Sequence, residues 1–183
     1  MRKSIITVWA ALALAGAASA QTITSGPQAG QKVPGPFKPL HVNGPDAGHR
    51  ECLYCKFGPR PVVMIFAREA GPEVAALVKK IDAATAAHQD ERLASCAMFL
   101  SDSKEMPAAL KSLVEREGIK NTILALDGPA GPASYKIAAE ADVTVILYTH
   151  HAVKANHAFR KGELSAAATD AVIADLAKIL VEE

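Results

Sequence analysis

The chain has 183 residues, with 20 Lys+Arg against 19 Asp+Glu, a net charge of +1, and half of its residues hydrophobic. That balance leaves no electrostatic footprint for nucleic acid or an anionic membrane surface, and the length suits one domain around one core. Three cysteines allow one disulfide and one leftover thiol.

Residues 1–20 read as a secretory signal peptide. Arg2 and Lys3 make a basic start, Ile5 to Ala17 a short apolar run, and Ala18-Ser19-Ala20 a cleavage site before Gln21. The run is too short and too rich in alanine for an anchor, which needs about 20 apolar residues. Cleavage lowers Lys+Arg from 20 to 18 against 19 Asp+Glu, so the mature charge is −1. The expected product is periplasmic or secreted, with no membrane insertion of the mature chain, in a compartment where disulfides persist.

Residues 21–36 read as a flexible leader rich in Gly and Pro, and 37–183 as the folded domain. Phe37 to Val42 is expected as a short edge strand limited by prolines. Cys52-Leu53-Tyr54-Cys55 then lies in a loop upstream of the first core strand, Val62 to Ala67, with no helix start apparent around it. That strand is a continuous apolar run, the mark of burial on both faces. Gly71-Pro72 opens a helix with Val74, Leu77, Val78 and Ile81 on one stripe. A strand over Leu93 to Leu100 carries Cys96. The next helix starts near Pro107, buries Leu110, Leu113 and Val114, and stops at Gly118. Thr122 to Leu126 is a strand, Ser134 to Glu140 a short helix, and Val143 to Tyr148 a strand. His150-His151 forms a turn, Val153 to Phe159 returns as a strand, and Ser165 caps a last helix burying Val172, Leu176, Ile179 and Leu180. This order predicts an α/β three-layer sandwich with a mixed central sheet of about five strands flanked by helices.

From Gly30 onward the pattern resembles the redoxin group of the thioredoxin superfamily, thiol–disulfide oxidoreductases and peroxiredoxins among them. Gly30-Gln31-Lys32-Val33-Pro34-Gly35-Pro36-Phe37 is similar to that group's opening segment, and Val62 to Arg68 to its first core strand. The Tyr148 hairpin and Lys161-Gly162-Glu163-Leu164 fall in the same order. The resemblance also shows departures. The family's reactive cysteines follow the core strand, where this chain has Glu69-Ala70-Gly71-Pro72, so peroxidase chemistry at the usual place is excluded. The family's cis-proline falls at Ala141-Asp142-Val143-Thr144, with Val143 in its stead; a cis bond there would cost about 2.5–4 kcal/mol, so trans is expected.

Three readings of Cys52 and Cys55 stand side by side. As a relocated redox disulfide they would exchange with thiol- or disulfide-bearing exported proteins, with Lys56 and Arg60 favouring the thiolate. As a structural disulfide they would staple the leader to a binding or scaffold domain. As a metal site, zinc or copper, they would need imidazoles, and the resemblance puts His150 and His151 at the same end of the sheet. No cofactor is expected. Cys96 is expected as a buried, inert thiol. His157, sharing strand parity with Val153 and Phe159, is expected as a hydrogen-bonded core histidine. Asp127-Gly128-Pro129 reads as a strand-ending turn, Glu69 shows no acid–base partner, and His41, His49 and His88 fit no pattern.

Overall fold

The computed structural model describes residues 23–180; the expected signal peptide and its cleavage site lie outside them. Among the described residues no helix is long and apolar enough to cross a membrane.

The elements run β1 Leu40–His41, α1 Leu53–Phe57, β2 Val62–Ala67, α2 Pro72–Ala87, β3 Ala94–Leu100, α3 Met106–Glu117, β4 Thr122–Asp127, β5 Val143–Thr149, β6 Ala152–Phe159, α4 Ala166–Ala174 and α5 Ala177–Leu180. They build one six-stranded mixed sheet in the order β1-β4-β3-β2-β5-β6. The sheet has six strands against the expected count of about five, with the expected edge strand present as Leu40–His41, which pairs antiparallel with Leu126 and Ala125 of β4. That strand keeps only two of the six residues from Phe37 to Val42.

Every side chain of β2 is buried, and period-2 alternation sends the two sets to opposite faces. Val63, Ile65 and Ala67 meet α2, α3 and the α4–α5 arm in one core cluster. Val62, Met64 and Phe66 join Leu53, Phe57, Cys96, Tyr135 and Tyr148 in the second. Helices therefore dominate one face, while the other is covered by α1 and irregular chain. The segment expected as a flexible leader supplies part of that cover. The Ser25 hydroxyl is fully buried, bonds the Thr144 hydroxyl at 2.7 Å and accepts from the Ala138 N–H at 3.0 Å. Val33 is buried in the second cluster. Residues 23–36 are thus part of the packed domain.

α2 follows its apolar stripe, with Pro72 in the first turn and Val74, Leu77, Val78 and Ile81 buried. Its Asp82 carboxylate accepts the Lys120, Asn121 and Thr122 N–H groups at 3.1, 2.6 and 2.7 Å, tying the helix to the start of β4. Beside it the Thr85, Ser95 and Thr122 hydroxyls form a buried chain at 2.7 and 2.8 Å. In α3, Leu110 and Leu113 are buried, and Val114 packs partly buried against them.

Two expected helices differ. The Ser134–Glu140 stretch holds only one 3-10 turn, Ala133–Tyr135, because Lys136 turns left-handed at φ 52°. Tyr135 is the reason for that short turn: its buried ring joins the second core, and its hydroxyl donates to the Gly35 carbonyl at 2.9 Å. The last helix breaks around Asp175 into α4 and α5, with Val172, Leu176 and Ile179 buried and Leu180 at the core margin. Ser165 caps it as expected, accepting the Ala168 N–H at 3.1 Å.

β5 and β6 are joined by a two-residue turn whose residues, His150 and His151, both have positive φ, 49° and 61°. That geometry matches the twist of a hairpin but suits Gly and Asn better than His. A register shift between Leu147 and Tyr148 pairs Leu147 with Ala155 and Tyr148 with Val153. The bulge sends Val153 to the second core and Ala155 to the first. His157 therefore shares its face with Ala155 and Phe159, and the expected parity with Val153 is corrected.

Candidate active site

Cys52 and Cys55 are joined by a disulfide with their Cα atoms 5.3 Å apart. They do not lie in an open loop. Cys52 is the N-cap of α1, with extended backbone at φ −88° and ψ 99°, and its Sγ accepts the Cys55 N–H at 3.1 Å. The helix is one turn long and closes at Gly58, which takes φ 59°. Its place is fixed from below, because Leu53 and Phe57 are buried in the second core. Cys55 is exposed and Cys52 half-buried. A cap that accepts an otherwise orphaned N–H holds negative charge on that sulfur when the bond is open.

The flanks of the turn are held by side chains. Lys56 pairs with Asp46, so its charge is shared before it can act on a thiolate. Tyr54, between the two cysteines, packs on the His151 ring with centroids 4.7 Å apart. The hairpin turn and the disulfide therefore meet at the same end of the sheet. Contact goes no further toward a metal centre: both sulfurs are spent on each other, and His150 engages the Thr149 hydroxyl at 3.2 Å. Among the described residues no group of three His, Cys, Asp or Glu side chains is placed to hold a metal ion. The Tyr148 hydroxyl and His151 Nδ1, both buried on this side, have no hydrogen-bond partner among the described residues.

His41 carried no usable sequence pattern, yet it is fully buried, and among the described residues neither ring nitrogen makes a well-formed hydrogen bond, Nδ1 lying 3.9 Å from Asp46 Oδ2. Burial lowers its pKa below the ordinary histidine value, against the pull of Asp46; Lys56 adds to the lowering. The Asp46 carboxylate thus lies between His41 and the Lys56 of the disulfide turn. No local signal marks this arrangement, since residues 41, 46 and 56 come together only through the fold.

At the opposite end, where the resemblance implies a reactive pair, the chain has Arg68. Its guanidinium donates to the Ala141, Pro129 and Ala138 carbonyls at 2.9, 2.8 and 3.0 Å. Glu69 pairs with Lys161 on the surface. The described residues contain no cis peptide bond, Val143 included. Burial, with Glu69 nearby, raises the Asp142 carboxyl above its ordinary value.

The remaining candidates have structural roles. Cys96 is fully buried in β3 and burial pushes its thiol far up. His157 Nε2 meets Asp175 Oδ2 at 3.0 Å, half-buried. Asp127 accepts the N–H of Gly128 within its own turn, and His88 pairs with Glu91.

Comparison with solved structures decides the fold. A secreted Mycobacterium tuberculosis disulfide oxidoreductase homologous to E. coli DsbE superposes with a TM-score of 0.58 at 14% identity, over 77% of this chain and 94% of that one. The thioredoxin domain of a Bacteroides vulgatus thiol-disulfide oxidoreductase gives 0.55 at 14%, over 85% and 99%. Xanthomonas campestris peroxiredoxin Q gives 0.58 at 14%, over 79% and 92%. The chain has a thioredoxin fold. At these identities the likeness carries the architecture alone, across proteins with both exchange and peroxidase names. No family model matches the sequence, and no curated protein is similar to it. Against that thioredoxin-fold frame, the Cys-x-x-Cys pair precedes the first core strand rather than following it.

Proposed function

We propose that the protein is an exported thiol–disulfide oxidoreductase working through Cys52 and Cys55. The observation that carries this reading is the cap: Cys52 Sγ, at the start of a helical turn, accepts the Cys55 N–H, while Cys55 is open to solvent. A cysteine at the start of a helix, three residues ahead of its partner, is the local arrangement that lowers a thiol pKa. Here one turn supplies one aligned N–H, a modest form of the effect.

In the oxidised state a partner thiolate attacks the exposed Cys55 Sγ. The Cys52–Cys55 bond breaks, and Cys52 leaves as a thiolate held by the Cys55 N–H. The partner's second thiol, once deprotonated, attacks its own sulfur in the mixed disulfide and releases Cys55. The partner gains a disulfide, and the pair gains two electrons and two protons. The reverse sequence reduces a partner disulfide. Support for export comes from the basic, apolar, Ala18-Ser19-Ala20 start and from the secreted M. tuberculosis protein of the same fold.

A rival reading, a structural disulfide in a binding domain, draws on the anchoring of the turn by Leu53, Phe57, the Lys56–Asp46 pair and the Tyr54–His151 contact. The reduction potential separates the two. Exchange predicts roughly −120 to −270 mV for the pair and mixed disulfides trapped on Cys55 in a Cys52→Ser variant. A potential below about −300 mV, with no trapped partner, would establish the staple.

A further inference from the structure

Beside the disulfide turn, at the end of the sheet where β2 starts and β5 ends, lies an open cleft of about 650 Å³. Among the described residues, Arg60, Arg92, Lys154 and Lys178 line it against one carboxylate, Glu91, in a chain whose total charge is nearly balanced. Glu91 is turned to His88, and Lys178 to Asp175. Neither the Arg60 nor the Arg92 guanidinium has an ion pair or side-chain hydrogen bond among the described residues. Both arginines stand on stiff backbone. Arg60 lies between Pro59 and Pro61, whose rings fix φ, and the His150 N–H donates to the Pro59 carbonyl at 2.9 Å. Arg92 sits in the α2–β3 turn at φ 58°, where the Leu93 N–H returns to the His88 carbonyl. The cleft floor is apolar, with Pro61, Ile179 and Leu180.

Two forked cations on rigid turns over an apolar floor, with no ion-pair partner among the described residues, suit carboxylates carried on a peptide. Arginine binds carboxylate in a planar, two-bond geometry, and prior rigidity lowers the cost of ordering. We infer that this cleft docks an acidic peptide segment of the exchange partner, with Arg60 and Arg92 taking its Asp or Glu side chains. The inference rests on the proposed exchange reading for its partner. Geometry then sets the spacing. Arg60 follows Cys55 by five residues, so the two Cα atoms are at most about 18 Å apart. An extended partner rises about 3.3 Å per residue, which places the acidic residue that meets Arg60 within about five positions of its reacting cysteine.

The test uses the oxidised mature protein and a fluorescent peptide with serine for the reacting cysteine and two glutamates three and four positions away. Its counterpart carries glutamines instead. At low salt the Glu peptide is expected to bind about fivefold to thirtyfold more tightly, the two part-exposed Arg–carboxylate pairs contributing about 0.5–1 kcal/mol each. The preference should fall as salt rises and drop below about twofold in R60Q/R92Q. Equal affinity for the two peptides, or a preference that survives R60Q/R92Q, would overturn the inference. The peptide comparison on the unsubstituted protein needs no variant to fold. Because the serine peptide cannot exchange, this binding result stands apart from the redox reading: a staple-like potential with intact Glu preference sinks exchange alone, and an exchange-like potential without it sinks the cleft alone.

Discussion

Replacing both cysteines by serine tests whether the domain can cycle its disulfide without unfolding. The cross-link closes a loop of only four residues, Cys52 to Cys55. Loop-closure entropy for that length comes to about 2 kcal/mol at 25 °C, the low end for disulfides. Other losses should be small. Serine is itself a good N-cap, so the cap on the Cys55 position survives, and Leu53 and Phe57 stay buried beneath the turn. C52S/C55S is therefore expected to lose about 2 kcal/mol and about 4–8 °C in Tm, out of a total stability of about 5–15 kcal/mol. The assay is urea unfolding followed by far-ultraviolet circular dichroism, since the only tryptophan, Trp9, lies in the proposed signal peptide. A loss of 5 kcal/mol or more, or failure to fold, would refute the reasoning: a pair the fold cannot spare in its open state cannot serve as an exchange centre.

Three further outcomes follow from the site descriptions. Arg68→Ala removes three charge-assisted bonds from a half-buried guanidinium and should cost about 2–4 kcal/mol, with Arg68→Lys recovering less than half; unchanged urea midpoints would show that water replaces those bonds. After reduction of the folded protein, alkylation read by mass spectrometry should modify Cys52 and Cys55 quickly and Cys96 only in denaturant, because burial keeps that thiol protonated; full labelling of Cys96 in the fold would contradict this. His41 titrates below its unfolded value of 6.5, so the folded state binds fewer protons in that window. Its contribution is present above pH 6.5 and is lost as pH falls toward the lowered folded value, with Asp46 opposing and Lys56 reinforcing the shift. His41→Gln should flatten that part of the stability profile relative to the unsubstituted chain, and parallel profiles would refute the assignment.

What could be read from the sequence divides along physical lines. β2, β3 and β5 declared themselves as apolar runs, and α2 by its stripe, because burial on both faces or on one leaves a periodic record. The five residues of α1 are too few to show a period, and cysteine is not a residue usually sought at a cap. Gly58 was the available sign that a turn of helix ended there. The hairpin and the Cys pair were expected at one end of the sheet, and the Tyr54–His151 contact places them there. What sequence reasoning missed was long-range: Arg68 reaching carbonyls about sixty to seventy residues away, Ser25 meeting Thr144, and His41 buried beside Asp46. Such bonds join positions whose neighbours in the chain say nothing about them. The basic cleft is similar: Arg60 and Arg92 come from separate turns, Lys154 from β6 and Lys178 from α5.

The N-terminal strap also bears on how this sheet behaves among many copies of itself. An open sheet has two borders of unpaired backbone that invite another chain to add a strand. At one border β1 is only two residues long, too short to template much. At the other, the strap exchanges bonds with β6 and its turn: Gly30 N–H to the Val153 carbonyl, Val153 N–H to the Gln31 carbonyl, and Val33 N–H to the His151 carbonyl, each at 2.9 Å. Residues 30–33 therefore shield the first half of β6 from edge-to-edge association, and trimming the domain to Phe37 would turn a protected margin into a nucleus for aggregation.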